Sequence, residues 1–324
     1  MSNDKPAVNP ATIAVNQPLS FRSYDFAQVD VFAARALEGN ALAVFTDARG
    51  LSSNEMQAIA RETNLSETTF IIPHPPEIER EHGIQVRIFL TTEEVPFAGH
   101  PTLGTASWLY LNHPIFRGAE QITLDLGVGP IPVRFEKPQP NEIGVFGTMR
   151  QNDPVFGTII NTPDERSALA AALNLSMEDL DPHLSAQVVS TGMTFCIVPL
   201  RSLEVATRLR ITTQSSRPFL DRIGAKFFHC ITFANKNSEA QWHARMQFDS
   251  GEDPATGSAS GCTIAYLVRH GLVASGEQII IEQGIEMLRP SRIHVSAAIE
   301  NNIVTKVFVG GRTIPVASGR LFLP

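Results

Sequence analysis

Three ionisable side chains in this sequence stand where acid–base chemistry is favoured. His100 and Asp253 lie at two junctions where a strand-like run passes into a helix-like run, and Glu67 is the one carboxylate in the otherwise uncharged run 64–72. The first amides of a helix have no intrahelical partner, so each junction can receive an anion. Each residue alone also fits an ordinary role: His100 as a packed or capping residue, Asp253 as an acid favoured at a helix start, and Glu67 as a solvated charge on an edge strand.

The two junctions are copies of one pattern. Residues 87–104 align without a gap with the segment that begins at Arg245, and the paired glycines give 257 − 99 = 158, about half of the 324 residues. We interpret the chain as two related halves whose helix starts meet across one cleft, with His100 opposite Ser258. The candidate substrate-binding residues at the two junctions are Gly99, Pro101, Thr102, Thr256, Gly257 and Ser258. Thr256 and Ser258 taken singly could be plain helix caps.

Composition excludes several classes of protein. A chain of this length favours two domains. The net charge of -7, without basic runs, argues against nucleic acid as a partner. No apolar run is long enough to span a membrane. Residues 1–20 do not resemble a signal peptide, and we expect a disordered tail there. The 3 cysteines are scattered among apolar residues, which favours buried thiols in a reducing, cytoplasmic setting.

Motifs for cofactors and metals are missing from the sequence. There is no zinc-binding spacing of His or Cys, no phosphate-binding glycine loop after a strand, and no nucleophile elbow. We therefore expect no cofactor and no metal, and chemistry carried by the side chains at the two junctions.

The pattern of elements predicts an α+β fold. Strand-like runs outnumber helical ones, and each half contains one long apolar helix that a sheet would cover. Residues 73–83 are charged and contain proline, and we expect a loop there. The break at 137–141 is the predicted domain boundary. It gives a first domain of 21–136, a second of 137–311, and a terminal strand at 312–324 that could complete the first.

The chain resembles the PhzF-like family of phenazine-biosynthesis isomerases, which are relatives of diaminopimelate epimerase. The motifs that carry the resemblance span about residues 25–310, and they are Val29-Asp-Val-Phe, Glu38-Gly-Asn-Ala-Leu-Ala-Val, Asn64-Leu-Ser-Glu-Thr-Thr-Phe, the run from Arg87 to Gly104, Glu252-Asp-Pro-Ala-Thr-Gly-Ser-Ala, and Glu282-Gln-Gly-Ile-Glu-Met-Leu-Arg-Pro-Ser. The resemblance implies two barrel-like domains that each surround a helix, an active site between them, a homodimer, and cofactor-independent isomerisation by proton transfer.

By this resemblance Glu67 is the proton-transferring glutamate, and His100, Asp253 and Ser258 are polar groups around it. Burial and the Asp253 carboxylate should raise the pKa of Glu67, and we expect the two carboxyls and His100 to share protons. Thiol-dependent epimerases of this fold carry cysteines at the two junctions, so His100 and Ser258 argue against racemisation.

Three functions stay open: an isomerase acting on a small carboxylate-bearing substrate, a non-catalytic binder of small acids, and, less favoured, an epimerase or racemase. The sequence does not name the substrate. One departure from the family is Leu288, where glycine is usual, and we expect this bulky residue to narrow or reshape the approach of substrate.

Overall fold

The computed structural model describes residues 21–140, 142–248 and 251–324. The predicted tail at 1–20 lies outside these residues, as does residue 141 of the predicted boundary. Within the described ranges, no helix combines the length and the apolar character that crossing a membrane requires.

The described residues form seven α-helices and eighteen strands. The helices are α1 (Ser53–Thr63), α2 (Pro76–His82), α3 (Gly99–Asn112), α4 (Pro163–Ala172), α5 (Leu203–Arg208), α6 (Thr213–Ile223) and α7 (Gly257–Arg269). The strands are β1 (Arg22–Val31), β2 (Asn40–Phe45), β3 (Glu67–Ile72), β4 (Ile84–Leu90), β5 (Glu94–Val95), β6 (Gln121–Leu126), β7 (Gly129–Phe135), β8 (Val145–Arg150), β9 (Val155–Ile160), β10 (Ala186–Ser190), β11 (Thr194–Pro199), β12 (Phe227–Phe233), β13 (Trp242–Arg245), β14 (Gln247–Phe248), β15 (Gly251–Glu252), β16 (Gln278–Gln283), β17 (Ser291–Glu300) and β18 (Ile303–Leu323).

Fifteen of the strands form two sets of eight that share β18, while β5 pairs with β4 and β14 pairs with β15. The first set runs β1-β2-β3-β4-β6-β7-β8-β18 and closes into a barrel because β18 also pairs with β1. The second set continues from β18 through β17-β16-β13-β12-β11-β10 to β9. The α+β prediction is confirmed. The exact division of the chain into domains stays a prediction, and β8, which follows the predicted boundary, pairs with β7 of the first barrel.

Each set of strands packs on one long helix. In α3 the side chains of Leu103, Ala106 and Leu109 are fully buried, and in α7 Ile264 and Leu267 are buried as completely. A helix that is apolar on all sides belongs in the interior. Both helices therefore lie within the core, and each begins at one of the two glycine junctions that the sequence analysis singled out.

Residues 73–83 differ from the sequence prediction. We expected a loop, but residues 76–82 form α2. Proline is favoured at the first position of a helix, and the acidic residues Glu77 and Glu79 suit its positive end. The helix ends at Gly83, whose φ of 93° is a conformation that glycine adopts without strain. The prediction was wrong because proline marks a helix start as readily as a loop.

Candidate active site

The starts of α3 and α7 meet, as the internal repeat predicted. A Cβ added to Gly99 would lie 3.2 Å from the backbone nitrogen of Ser258 and 3.5 Å from the carbonyl carbon of Gly257. The contact at Ser258 is tighter than ordinary van der Waals packing, so glycine at position 99 lets the two turns approach each other. Neither helix start is capped by a side chain. The free amides of both first turns therefore face one region, where their partial positive charges favour an anion.

The two junctions differ in the amides that they offer. Pro101 occupies the third position of α3 and has no N–H, whereas Ala259 occupies the same position in α7. Thr102 is fully buried, and its hydroxyl donates to the Ala98 carbonyl at 2.7 Å. The Thr102 hydroxyl therefore stabilises the start of the helix, and its expected contact with substrate stays a prediction. Ser258 is half-buried in the first turn of α7.

The three candidate catalytic residues lie close together. Glu67 begins β3, His100 lies in the first turn of α3, and Asp253 precedes α7. His100 Nδ1 is 3.6 Å from Glu67 Oε2, which is longer than a hydrogen bond. Asn40 connects the two halves, because its Nδ2 lies 3.3 Å from His100 Nδ1 and donates to Asp253 Oδ1 at 2.7 Å.

The two carboxyl groups have unequal surroundings. Asp253 accepts a hydrogen bond at each oxygen: Oδ1 from Asn40, and Oδ2 from the Thr256 hydroxyl at 2.6 Å. Glu67 Oε2 is buried and has no hydrogen-bond partner among the described residues. Donors stabilise the ionised form of a carboxyl group, and burial without donors stabilises the neutral form. Glu67 is therefore the member of the pair that holds a proton more tightly.

The pKa values follow this asymmetry. Burial, and then the charge of Asp253, raises the pKa of Glu67 well above its usual value. Burial also raises the pKa of Asp253, to about 6, against the opposing hydrogen bonds from Thr256 and Asn40. Of the two carboxyls, Glu67 is therefore the one that keeps its proton to the higher pH. Two carboxyls that interact this strongly titrate as a pair.

The imidazole of His100 is neutral in the resting site. Burial lowers the pKa of its imidazole to about 3, so the ring stays neutral over the whole range in which the carboxyls titrate. The expectation that His100 exchanges protons with the carboxyls stays a prediction. Because Nδ1 faces the Asn40 amide nitrogen, which can only donate, Nδ1 is the acceptor of the neutral ring and Nε2 carries its hydrogen.

Sequence reasoning gave no role to two residues at the centre of this arrangement. Asn40 bridges the halves, and Gln283 hydrogen-bonds to Asp253 and Thr256. Both lie inside motifs that carry the family resemblance. The signal that the sequence offered was an amide side chain next to a glycine in each motif, Gly39 in the first and Gly284 in the second. The structure shows that both amide side chains are buried.

Leu288 does not pack over the cleft residues. Its side chain is 87% exposed, and its backbone φ is 58°. This left-handed conformation favours glycine. The expected narrowing of the approach of substrate is absent, because the side chain extends into solvent.

Comparison with known proteins decides the family. The model of the phenazine biosynthesis-like proteins matches residues 29–319. The chain belongs to this family. A trans-2,3-dihydro-3-hydroxyanthranilate isomerase from Pseudomonas chlororaphis is 34% identical over 302 residues, which cover 91% of this chain and 98% of that protein.

Solved structures agree with the family assignment. A protein from Pseudomonas aeruginosa described as a predicted epimerase has a TM-score of 0.76 at 34% identity, over 92% of this chain and 99% of its own. A PhzF-family phenazine biosynthesis protein from Bacillus anthracis has a TM-score of 0.80 at 25% identity, over 93% of this chain and 100% of its own. The family relationship makes this chain an isomerase with an epimerase-like fold.

Proposed function

We propose that this isomerase moves a proton between two carbons of a small carboxylate-bearing substrate in the cleft between the halves, with Glu67 as the proton carrier and without a cofactor. One observation supports this above all: Glu67, whose buried Oε2 has no hydrogen-bond partner among the described residues, lies beside Asp253, whose two oxygens each accept a hydrogen bond, at the place where the starts of α3 and α7 meet. Such a pair is suited to giving and accepting a proton, because burial raises the pKa of both carboxyl groups above its usual value.

The helix starts would hold the substrate. The free amides of the first turns at Gly99, Gly257 and Ser258 can bind a carboxylate and stabilise negative charge that develops next to it. His100 contributes a neutral donor. Thr256 acts through Asp253, since its hydroxyl donates to that carboxylate.

The proton transfer needs no oxidant or reductant. The protonated Glu67 gives its proton to one carbon of the unsaturated system, the electron pairs shift along that system, and the ionised Glu67 then takes a proton from the other carbon. Substrate and product contain the same atoms, and Glu67 ends in the ionisation state in which it began. General acid–base catalysis by one such group contributes on the order of 10²–10⁴-fold in rate.

The dihydro-hydroxyanthranilate that names the Pseudomonas chlororaphis relative is the first compound to test, because it is a small carboxylic acid. It should be incubated with the protein in deuterated water and followed by proton NMR and mass spectrometry. We expect a change of double-bond position with deuterium at the new C–H bond. If no compound in a panel of small unsaturated carboxylic acids exchanges or rearranges, while some still raise the melting temperature, the non-catalytic binder becomes the better account.

The same assay separates the epimerase alternative. An epimerase would exchange deuterium at a carbon that keeps its bonds and would give the mirror configuration there, whereas the proposed isomerase relocates a double bond. The predicted cytoplasmic location and homodimer stay predictions.

A further inference from the structure

Gln283 occupies a fully buried position at the end of β16, behind the Asp253 carboxylate. Its Nε2 donates to the Asp253 carbonyl at 2.7 Å and to Thr256 Oγ1 at 2.9 Å. Its Oε1 accepts from the Thr256 backbone amide at 3.2 Å. One side chain thus holds both ends of the segment 253–256, which carries a candidate catalytic carboxylate into the start of α7.

The orientation of this amide follows from its backbone partners. A backbone N–H can only donate and a carbonyl can only accept, so the oxygen of Gln283 must face the Thr256 amide and its nitrogen must face the Asp253 carbonyl. The Thr256 hydroxyl then accepts from Gln283 and has a single hydrogen left to give. That hydrogen points to Asp253 Oδ2, 2.6 Å away. Gln283 therefore sets the direction of a hydrogen bond that favours the ionised form of Asp253.

A second buried side chain supports Gln283 from behind. His229 is fully buried, with Nε2 3.4 Å from Gln283 Oε1 and Nδ1 2.7 Å from the hydroxyl of Thr263 in α7. Burial lowers the pKa of His229 to about 4, so the ring is neutral at pH 7. A neutral ring that donates to Gln283 from Nε2 accepts from Thr263 at Nδ1. The chain of contacts joins α7 to the cleft.

The first half contains a counterpart of the first contact in this series but not of the contacts that follow it. Thr105 lies 158 residues before Thr263, and its hydroxyl donates to Thr69 at 2.8 Å, as Thr263 contacts His229. In the strand pairing, Gln85 faces Asp125 where His243 faces Glu282. The next residues, Leu126 and Gln283, are therefore counterparts. The buried amide has a leucine as its counterpart in the half without Asp253.

We propose that Gln283 is a positioning residue of the cleft, which fixes the Thr256 hydroxyl on Asp253 and so keeps one carboxylate of the pair ionised while Glu67 carries the proton. This inference rests on the proposed function for its effect on turnover. Its effect on the ionisation of Asp253 does not depend on turnover and can be measured by itself.

The test compares Gln283→Met with Gln187→Met. Methionine retains most of the volume of glutamine and removes its hydrogen bonds. Gln187 is buried as deeply, but its contacts are the Gly157 carbonyl and His270, away from the cleft. The measurements are the titration of the Asp253 carboxyl by carbon-13 NMR, the pH dependence of kcat/KM, and the melting temperature.

We expect Gln283→Met to move the Asp253 midpoint and the acid limb of kcat/KM to higher pH, and to lower kcat/KM at neutral pH by on the order of 10–100-fold through misplacement of Asp253. Gln187→Met should lower the melting temperature similarly and leave the Asp253 midpoint in place. An unchanged Asp253 midpoint in Gln283→Met, or an equal shift in Gln187→Met, would overturn the inference.

A second variant covers the case in which Gln283→Met does not fold. Thr256→Val removes only the hydroxyl that links Gln283 to Asp253, and it must raise the Asp253 midpoint, whereas Thr256→Ser must restore it. No shift in Thr256→Val overturns the inference. If the Asp253 midpoint moves as expected but Glu67→Gln retains full turnover, the proposed function fails and the positioning role stands.

Discussion

The two halves of the molecule share one scaffold and differ in the few side chains that face the cleft. In the first half, β1 to β4, β6 and β7 pair in the sequence antiparallel, parallel, antiparallel, parallel, antiparallel. In the second half, β10 to β13, β16 and β17 pair in the same sequence. The same order of antiparallel and parallel strand pairs, together with the offset of 158 residues, indicates a duplicated fold.

An arginine–glutamate pair occurs at the same place in both halves. Arg87 binds Glu94 through two nitrogens at 2.7 and 2.6 Å, and Arg245 binds Glu252 in the same way at 2.8 and 2.5 Å. The side chains of the first pair are 26% and 42% exposed, and those of the second are 2% and 11% exposed. The two ion pairs therefore have the same geometry, but the first is partly exposed to solvent and the second is buried.

The cleft residues show the opposite relation, because equivalent positions in the two halves carry chemically different side chains. The counterpart of Asp253 is Val95, and that of Gln283 is Leu126. Glu67 faces Leu42 where Phe227 faces Phe195, so a phenylalanine stands in place of the carboxylate. The duplicated fold places two helix starts next to each other. The side chains that differ between the halves provide the groups that bind and release the proton.

The largest effect should come from Glu67, whose counterpart is apolar. Glu67→Gln keeps the shape of the side chain but cannot carry a proton, so we expect turnover to fall by on the order of 10²–10⁴-fold with little change in stability. The exposed Glu62, in α1, provides the control Glu62→Gln, which should retain full turnover. Wild-type rates in Glu67→Gln would exclude this residue from proton transfer.

The two arginine pairs should differ strongly in their contribution to stability. Arg245 also donates to the carbonyls of Ala206, Thr207 and Leu209, so Arg245→Gln removes the positive charge beside the buried Glu252 carboxylate together with three carbonyl contacts. We expect a loss of about 3–5 kcal/mol of unfolding free energy. Arg87→Gln, at the exposed pair, should cost about 0–1 kcal/mol.

Urea unfolding of both arginine variants makes this comparison under one set of conditions. Equal losses in the two variants would mean that burial does not distinguish the pairs.

The raised pKa of Asp253 makes stability depend on pH. The folded protein binds this proton more tightly than the unfolded chain does, from the usual value of 3.8 up to about 6. Stability from this group therefore falls as pH rises through that window. This pH-dependent contribution is absent in Asp253→Asn. The free energy of unfolding of the variant, relative to that of wild type, should therefore rise between pH 4 and pH 7 by on the order of 3 kcal/mol.

His100 contributes a pH dependence of opposite sign, because its pKa is lowered from 6.5 to about 3. That contribution is present in wild type and in Asp253→Asn, and it cancels in their difference. The stability difference, measured by denaturant unfolding across the pH range, should therefore report Asp253 together with the change that it causes in the pKa of Glu67. A difference that is flat with pH would show that the Asp253 carboxyl titrates normally.

The smallest effect concerns two exposed leucines at the seam between the halves. Leu37 and Leu288 both have positive φ, of 71° and 58°. Replacement by glycine relieves the strain but increases the entropy of the unfolded chain, so we expect a net gain of about 0–1 kcal/mol for Leu288→Gly. Leu288→Ala retains the strain and should not stabilise. Thermal unfolding that ranks alanine above glycine would contradict this explanation.

The sequence predicted the repeat and the meeting of the helix starts because both rest on local pattern. The offset between Gly99 and Gly257 required only two similar strand–turn–helix motifs, and the structure brings these turns into contact. The carboxylate on an uncharged strand, Glu67, stood out for the same reason. A repeated backbone pattern and a polar residue in an unusual position can both be recognised in the amino-acid sequence alone.

The network behind the cleft could not be predicted from the sequence because it depends on register. Gln283 reaches Thr256 only because β16 pairs in parallel with β13, a pairing that no local pattern indicates. The neutral state of His100 likewise depends on how deeply the ring is buried. The helix α2 was missed for a different reason, since proline and charge favour a loop and a helix start alike.

The account depends on which member of the carboxyl pair holds the proton, and a carbon-13 NMR titration of the Glu67 side-chain carboxyl measures this directly. The assignment is made by comparison with Glu67→Gln. We predict that the Glu67 carboxyl is protonated at neutral pH, that its midpoint lies well above 4.5, and that it falls in Asp253→Asn. A Glu67 carboxyl that titrates at its ordinary pKa, unaffected by Asp253→Asn, would contradict the account.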